Sequence, residues 1–246
     1  MTGRTSLLLV GAAGRMGRTI LHLAGEEEEF ETVAVVDPGY RKLDLGARTA
    51  GFDTVTEALR TEIRCDAVVD LSSAEGAAGR IRAVADAGLP LVEGTTGLDG
   101  DARSALVQAG RTVAVVEAPN LSRGVAVLRG LVRRILGMSE PRWDAALLDR
   151  HHREKRDAPS GTARLLASEW SNGDETIEMA AFRQGGLPGE HTIFLSGPEE
   201  ELVLTHRAYD RTVFARGALC AARFAASADP GHYGMDDVLG LGDFPT

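Results

Sequence analysis

Ser6 to Val10 is a short apolar run that leads into Gly11-Ala12-Ala13-Gly14-Arg15-Met16-Gly17, and a helix-like stretch carrying Met16, Ile20, Leu21 and Leu23 follows at once. Strand, tight glycine turn and amphipathic helix in that order restrict the fold more than any other stretch, because the helix must lie back across the strand it leaves. Glycine permits the turn and a close backbone approach, and the helix start offers unpaired N–H groups and a positive dipole to a pyrophosphate. The spacing is G-x-x-G-x-x-G rather than the more familiar G-x-G-x-x-G, and alone it also suits a turn that merely packs a helix on a strand. Phe30 to Val36 adds a second strand, ending in Asp37-Pro38-Gly39. Asp37 stands 20 residues beyond Gly17, where a carboxylate accepts hydrogen bonds from an adenosine ribose and repels a 2′-phosphate. NADH is therefore the favoured cofactor, with NADPH as the alternative because Arg41 and Lys42 lie close by. Asp-Pro-Gly is also an ordinary turn starter.

The pattern repeats through Ala67 to Leu71, a helix over Ala74 to Ala87, Leu91 to Val92, a helix near Asp101 to Ala109, and Thr112 to Val116. Short apolar strands alternating with amphipathic helices imply a parallel sheet covered on both faces. After Pro119 the pattern changes. A long helix over Ser122 to Leu136 leads to Trp143 to Leu148, a polar charged segment Asp149 to Asp157, and then strands at Thr176 to Arg183, His191 to Leu195 and Glu201 to His206. The expected fold is α/β: a Rossmann-type dinucleotide-binding domain with a parallel sheet over 1–119, plus a second α+β domain with a mostly antiparallel sheet over 120–218. A final helix, Thr212 to Ala226, opens the return of segment 219–246 to the first domain.

Composition narrows the partners. The 246 residues carry 27 Lys+Arg against 36 Asp+Glu, a net charge of −9, which argues against nucleic-acid binding. Cys65 and Cys220 have no disulfide or metal-site spacing, so no metal is expected. The apolar run Leu7 to Val10 is too short for a signal peptide or membrane span, and a cytoplasmic protein is expected. Glu26 to Glu29 reads as a solvated acidic loop.

Arg150 to Arg156 runs against that balance, with four cationic side chains and one Glu for a local +3. Imidazole exchanges protons near neutral pH, and a neighbouring lysine can hold a carboxylate, so the run suits a small anion. Charge runs are also common on solvated loops. The continuation, Ala158-Pro159-Ser160-Gly161-Thr162-Ala163 before a helical stretch, decides between the two. Ser160 suits a helix N-cap, and the N–H groups of Gly161 and Thr162 with the Thr162 hydroxyl form an anion site.

Val10 to Gly17 together with His151-His152-x-x-Lys155-x-Asp157-Ala158-Pro159-Ser160-Gly161-Thr162-Ala163 resembles the dihydrodipicolinate reductase (4-hydroxy-tetrahydrodipicolinate reductase) family of the diaminopimelate route to lysine. Gly94-Thr95-Thr96-Gly97 and Ala118-Pro119-Asn120-x-Ser122 also match, and the resemblance runs from about residue 6 to Val238-Leu239. It implies that Gly11, Ala13, Gly14, Arg15, Met16 and Gly17 form the pyrophosphate turn and that Asp37 meets the ribose. Gly94, Thr95 and Thr96 with Ala118, Pro119 and Asn120 would lie along the nicotinamide. His151 would be the general acid and Lys155 the cation that grips the substrate and assists proton transfer. His152, Ser160, Gly161 and Thr162 would hold the carboxylates of a small dicarboxylate substrate. The resemblance further implies a homotetramer, in which domain closure brings His151 and Lys155 over the nicotinamide.

Two positions depart from the family pattern. Leu71-Ser72 replaces the more usual Phe-Thr, and Glu93 stands where an apolar residue is more common; burial there would require a raised pKa or a partner. Two other readings use the same residues: another amino-acid dehydrogenase on this scaffold, and a redox sensor that binds dinucleotide without catalysis. His22 and His232 read as structural or surface residues, and His191 and His206 as strand residues without an assigned role. Arg183, Gly185-Gly186 and Gly189 read as a structural turn, and Trp143 and Trp170 as core or interface rather than stacking platforms.

Overall fold

The computed structural model describes residues 3–61, 63–138, 143–170 and 177–242. The chain divides into two compact units, Met1–Leu121 with Phe214–Thr246, and Ser122–Val213.

In the first unit β1 (Thr5–Val10) leads into α1 (Arg15–Glu26) and β2 (Phe30–Val36), and a 3-10 turn at Tyr40–Lys42 precedes β3 (Ala50–Phe52) and α2 (Val55–Leu59). β4 (Ala67–Asp70), α3 (Ala77–Asp86), β5 (Leu91–Glu93), α4 (Gly100–Ala109) and β6 (Ala114–Glu117) follow. The second unit holds α5 (Arg123–Leu136), β7 (Asp144–His151), α6 (Gly161–Glu169), β8 (Glu178–Arg183), β9 (Gly189–Ser196) and β10 (Glu201–Ala208). The chain then forms α7 (Thr212–Ala225), β11 (Gly231–Tyr233) and α8 (Met235–Val238).

The first sheet is parallel throughout, in the order β11-β6-β5-β4-β1-β2-β3. β1 sits inside it with Leu7, Leu8 and Leu9 buried, as a strand covered on both faces must be. Strand order reverses between β4 and β1, and in such sheets ligands bind outside the C-terminal ends of the strands at that point. The turns after β1, β2, β5 and β6 carry the residues singled out in the sequence. The acidic run is not simply a solvated loop, because Glu27 pairs with Arg216 and Glu29 with Arg223 at 2.7 Å, both on α7. Exposed pairs of this kind contribute at most about 1 kcal/mol each.

The second sheet runs β10-β9-β7-β8. β10 with β9 and β9 with β7 pair antiparallel, but β7 and β8 are parallel, with α6 in the crossover between them. Trp170, Leu128, Val132, Leu147, Leu166, Ile193 and Leu195 pack between this sheet and helices α5 and α6, and Trp143 packs against them. Three boundaries differ from the sequence reading. β7 extends through Asp149 and His151, which the charge run had suggested lay in a polar segment, because alternation places Leu147, Asp149 and His151 all on the buried face. Gly189 lies inside β9 rather than in a turn, whereas Gly185 does turn, with φ +59°. β8 begins at Glu178, and Thr176 lies outside the described residues. Among the described residues no helix is long and apolar enough to cross a membrane.

Candidate active site

The glycine turn of the first unit is fixed by contacts that exclude side chains. Gly11 has φ +81°, and a Cβ there would lie 2.9 Å from Ser72 Cα and 3.0 Å from the Leu71 carbonyl. A Cβ on Gly17 would lie 2.2 Å from the Gly11 carbonyl oxygen, so α1 rests directly on the turn. Gly14 is the N-cap of α1 and supplies no capping side chain, which leaves Arg15 and Met16 at a helix start open to an anion. Asp37 is half-buried, and its two oxygens accept from the N–H groups of Ala13 at 3.0 Å and Gly39 at 2.7 Å. Each oxygen keeps a lone pair for a ribose hydroxyl. Beside it opens a cavity of about 500 Å³ lined by Gly11, Asp37, Asp53, Thr54, Ser73 and Arg80, among others. These residues fit a dinucleotide: a turn without side chains, an uncapped helix start and a carboxylate at a cleft. A cavity of about 900 Å³ elsewhere in this unit, lined by Arg4, His22, Glu31 and Arg48 among others, is larger but contains neither the turn nor Asp37, so the smaller one is the cavity that could hold a dinucleotide.

Arg80 in the lining of this cleft and Arg41 close by in the chain are both already paired. Arg80 donates through Nε to Asp70 at 2.7 Å, and Arg41 lies bidentate on Asp53 at 2.9 and 3.0 Å while covering the Tyr40 ring.

After β5 and β6, the Gly94 N–H donates to the Asp70 carbonyl at 3.0 Å and the Ala118 N–H to the Glu93 carbonyl at 2.9 Å. Both turns therefore start from the sheet ladder. A Cβ on Gly94 would meet Leu71 Cδ2 at 2.3 Å. Thr95 is buried, while Thr96 and Pro119 are exposed and Asn120 is half-buried. Glu93 is buried as well; its Oε1 accepts from the Thr95 N–H at 2.8 Å, and Oε2 has no hydrogen-bond partner. Burial, then the neighbouring Asp70, pushes its carboxyl up to about 7. Both features that its burial demanded are present, a partner and a raised pKa.

In the second unit β7, β8, β9 and α6 converge on one carboxylate. Asp149 is fully buried. Its Oδ2 accepts from the Ser160 N–H at 2.8 Å and from Arg183 Nη2 at 2.8 Å, and its Oδ1 accepts the Ser160 hydroxyl at 2.8 Å. His151 Nδ1 lies 2.9 Å from Oδ1, off the straight line of a hydrogen bond, and His191 Nε2 lies 3.4 Å from the same oxygen. Burial alone would raise the Asp149 pKa, but His151, His191, Arg183 and Ser160 together hold it well below the usual carboxylate range. Asp149, His151 and His191 bring three potential metal-ligand atoms within 4.8 Å of one another. Because the carboxylate already carries Ser160 and Arg183, we read the trio as a hydrogen-bonded acid network. Burial lowers the His191 and His206 pKa values, so both rings are neutral near pH 7.

Lys155 Nζ lies 2.9 Å from Asp157 Oδ1, and Asp157 Oδ2 accepts from the Gly161 N–H at 3.3 Å. Ser160 is buried and caps α6, its Oγ accepting from the Ala163 N–H at 3.0 Å. Its hydroxyl and N–H are therefore committed within the protein. Lys155, Gly161 and Thr162 remain at the edge, and the His152 ring is half-buried. Asp149 and His191 were missed in the sequence, although the alternation that buries Leu147 continues through Asp149. The Gly189 position is explained by the site: a Cβ there would lie 2.9 Å from His151 Nε2.

Residues 5–121 match the family model for "Dihydrodipicolinate reductase, N-terminus" and residues 124–239 the one for "Dihydrodipicolinate reductase, C-terminus". A 4-hydroxy-tetrahydrodipicolinate reductase of Xanthomonas euvesicatoria is 39% identical over 97% of this chain and 99% of its own. That of Rubrobacter xylanophilus is 38% identical over 94% and 96%. Among solved structures, a dipicolinate-bound dihydrodipicolinate reductase from Paenisporosarcina sp. TG-14 shares the fold, with TM-score 0.82 at 20% identity over 95% of this chain and 99% of that one.

Proposed function

The chain belongs to the dihydrodipicolinate reductase family, and on that basis we infer that it reduces 4-hydroxy-tetrahydrodipicolinate to tetrahydrodipicolinate with NADH or NADPH. The observation that carries the substrate assignment is the carboxylate of Asp157, which sits between the Lys155 ammonium and the Gly161 N–H. A cation and a helix-start donor that already hold one carboxylate can hold that of a small dicarboxylate when it displaces Asp157.

Net reaction takes up one hydride and one proton: the 4-hydroxyl leaves as water with a proton from the adjacent ring carbon, and that carbon regains a proton once the hydride has been accepted. The dinucleotide, when bound, supplies the hydride. Gly11 to Gly17 seat its pyrophosphate, Asp37 its ribose, and Gly94 to Thr96 with Ala118 to Asn120 its nicotinamide end. Lys155, His152, Gly161 and Thr162 bind and orient the dicarboxylate, and His151 delivers the proton to the ring position next to the carbon that is reduced.

NADH is the preferred cofactor in this reading, because Asp37 and Asp53 both face the adenosine cleft while Arg41 and Arg80 are neutralised by partners. We also read the protein as a cytoplasmic homotetramer. Its support is the outer face of the second sheet, where Phe182 and Val203 stand exposed.

The test of the function is substrate-dependent loss of NADH absorbance when purified protein receives the product of the preceding synthase. Turnover is expected. No oxidation with either NADH or NADPH would overturn the assignment.

A further inference from the structure

We propose that Asp149 is the positioning residue of this active site: it turns His151 so that Nε2 is the proton-delivering atom, and ties that ring to the helix start that grips the substrate. The proposal rests on His151 being the proton donor, as inferred above.

Counting donors and lone pairs leads to this arrangement. A carboxylate offers about four lone-pair positions. On Asp149, Oδ2 is filled by the Ser160 N–H and Arg183, and one position of Oδ1 by the Ser160 hydroxyl. His191 Nε2 lies 3.3 Å from Ser160 Oγ, and that hydroxyl has already given its proton to Asp149. His191 must then be the donor to Ser160, which leaves its Nδ1 bare, in keeping with that atom's lack of a partner. The last position on Oδ1 faces His151 Nδ1 at 2.9 Å, a close contact bent from the straight line of a hydrogen bond, and no other acceptor competes for that Nδ1 proton. His151 therefore keeps its proton on Nδ1 when neutral, and Nε2 gains and loses the other. Nε2 faces Gly189, whose missing side chain leaves the ring its place. The same carboxylate holds Ser160, the N-cap of α6, immediately before Gly161 and Thr162. Arg183 adds a third tie, donating to the Asp157 carbonyl at 2.5 Å as well as to Asp149.

The groups facing His151 make its titration readable. Asp149 comes from its own strand, Arg183 from β8 and His191 from β9, with His206 behind it from β10. Lys155 and Asp157 come from the following loop. The hydrogen bonds it accepts hold Asp149 well below the usual carboxylate range and burial lowers the His191 and His206 pKa values, and the alkaline limb of kcat is assigned to His151 as the proton donor of the reading above.

The experiment compares kcat against pH for the wild type, D149N, D149E and H151Q. D149N removes the negative charge that favours an imidazolium beside it. Its alkaline limb is expected to move to lower pH by about one unit, with kcat reduced roughly 10- to 100-fold at pH 8. D149E is expected to restore the limb. A limb that stays in place in D149N, whatever happens to kcat, would show a merely structural carboxylate and overturn the proposal. Full activity in H151Q would instead remove the parent reading. Should D149N not fold, isotope-labelled histidine in the wild type decides, with the His151 signal identified by its absence in H151Q. A neutral ring protonated on Nδ1 supports the proposal, and one protonated on Nε2 overturns it.

Discussion

Glu93 at the end of β5 illustrates what one buried carboxyl does to a whole unit. Its pKa is raised from 4.5 to about 7. Between those values the native state binds the proton that the unfolded chain has released, so stability falls as pH rises from 4.5 to 7 and stays lower above it. The span corresponds to a cost on the order of 3 kcal/mol at pH 8. Glu93→Gln keeps an acceptor for the Thr95 N–H and removes the titration. Its melting temperature should exceed the wild type's by several degrees at pH 8 and by little at pH 5. An equal gain at both would show that Glu93 does not hold a proton. Asp37→Ala belongs to the same scale: losing that carboxylate should raise the preference for NADPH over NADH roughly tenfold, equivalent to about 1.4 kcal/mol. A comparison of the two Kd values checks it, and an unchanged ratio would mean that another group reads the ribose. The place of Asp37 beside the cleft was legible because the distance from Gly17 and the preceding strand mark it together. Asp149 was not, since its partners His151, Ser160, Arg183 and His191 come from three strands and a helix start. A charge run looks the same whether it lies on a loop or ends a strand.

Elements with their own local signal were read well. α1, α4, α5 and α7 show helical periodicity, and β1, β2 and β4 are apolar runs followed by turns. What escaped was short or depended on partners. β3 and β11 have three residues each and exist because a neighbouring strand offers an edge. α2 has five residues, yet its capping box, with Thr54 accepting from the Glu57 N–H and Glu57 reaching back, is a sequence pattern that could have been recognised. The parallel pairing of β7 with β8 follows from α6 lying between them, since a helix in the connection permits the crossover that a hairpin cannot make. Such pairings are choices among partners, and periodicity within one segment carries no record of them.

At the scale of the whole molecule, the net charge is −9, while the local cationic cluster at Arg150 to Arg156 is partly matched from within: Arg150 pairs with Glu190 at 2.7 Å and Lys155 with Asp157. Glu190 is buried and also paired with Arg207, so the outer face of the second sheet combines a closed ion-pair row with exposed Phe182 and Val203. Sedimentation equilibrium should find four copies. A monomer at micromolar concentration would remove the tetramer reading.

The first sheet is completed by β11, which pairs with β6 although more than a hundred residues separate them along the chain. Protein is made from one end at roughly 5–20 residues per second, so β6 waits on the order of ten seconds for its neighbour during synthesis. Throughout that interval an apolar parallel edge is open to any other strand nearby. The second unit has no such debt, because all of its strands have emerged before β11 is made. Slow translation would therefore be felt first in the yield of soluble protein, before any loss in the activity of the molecules that finish.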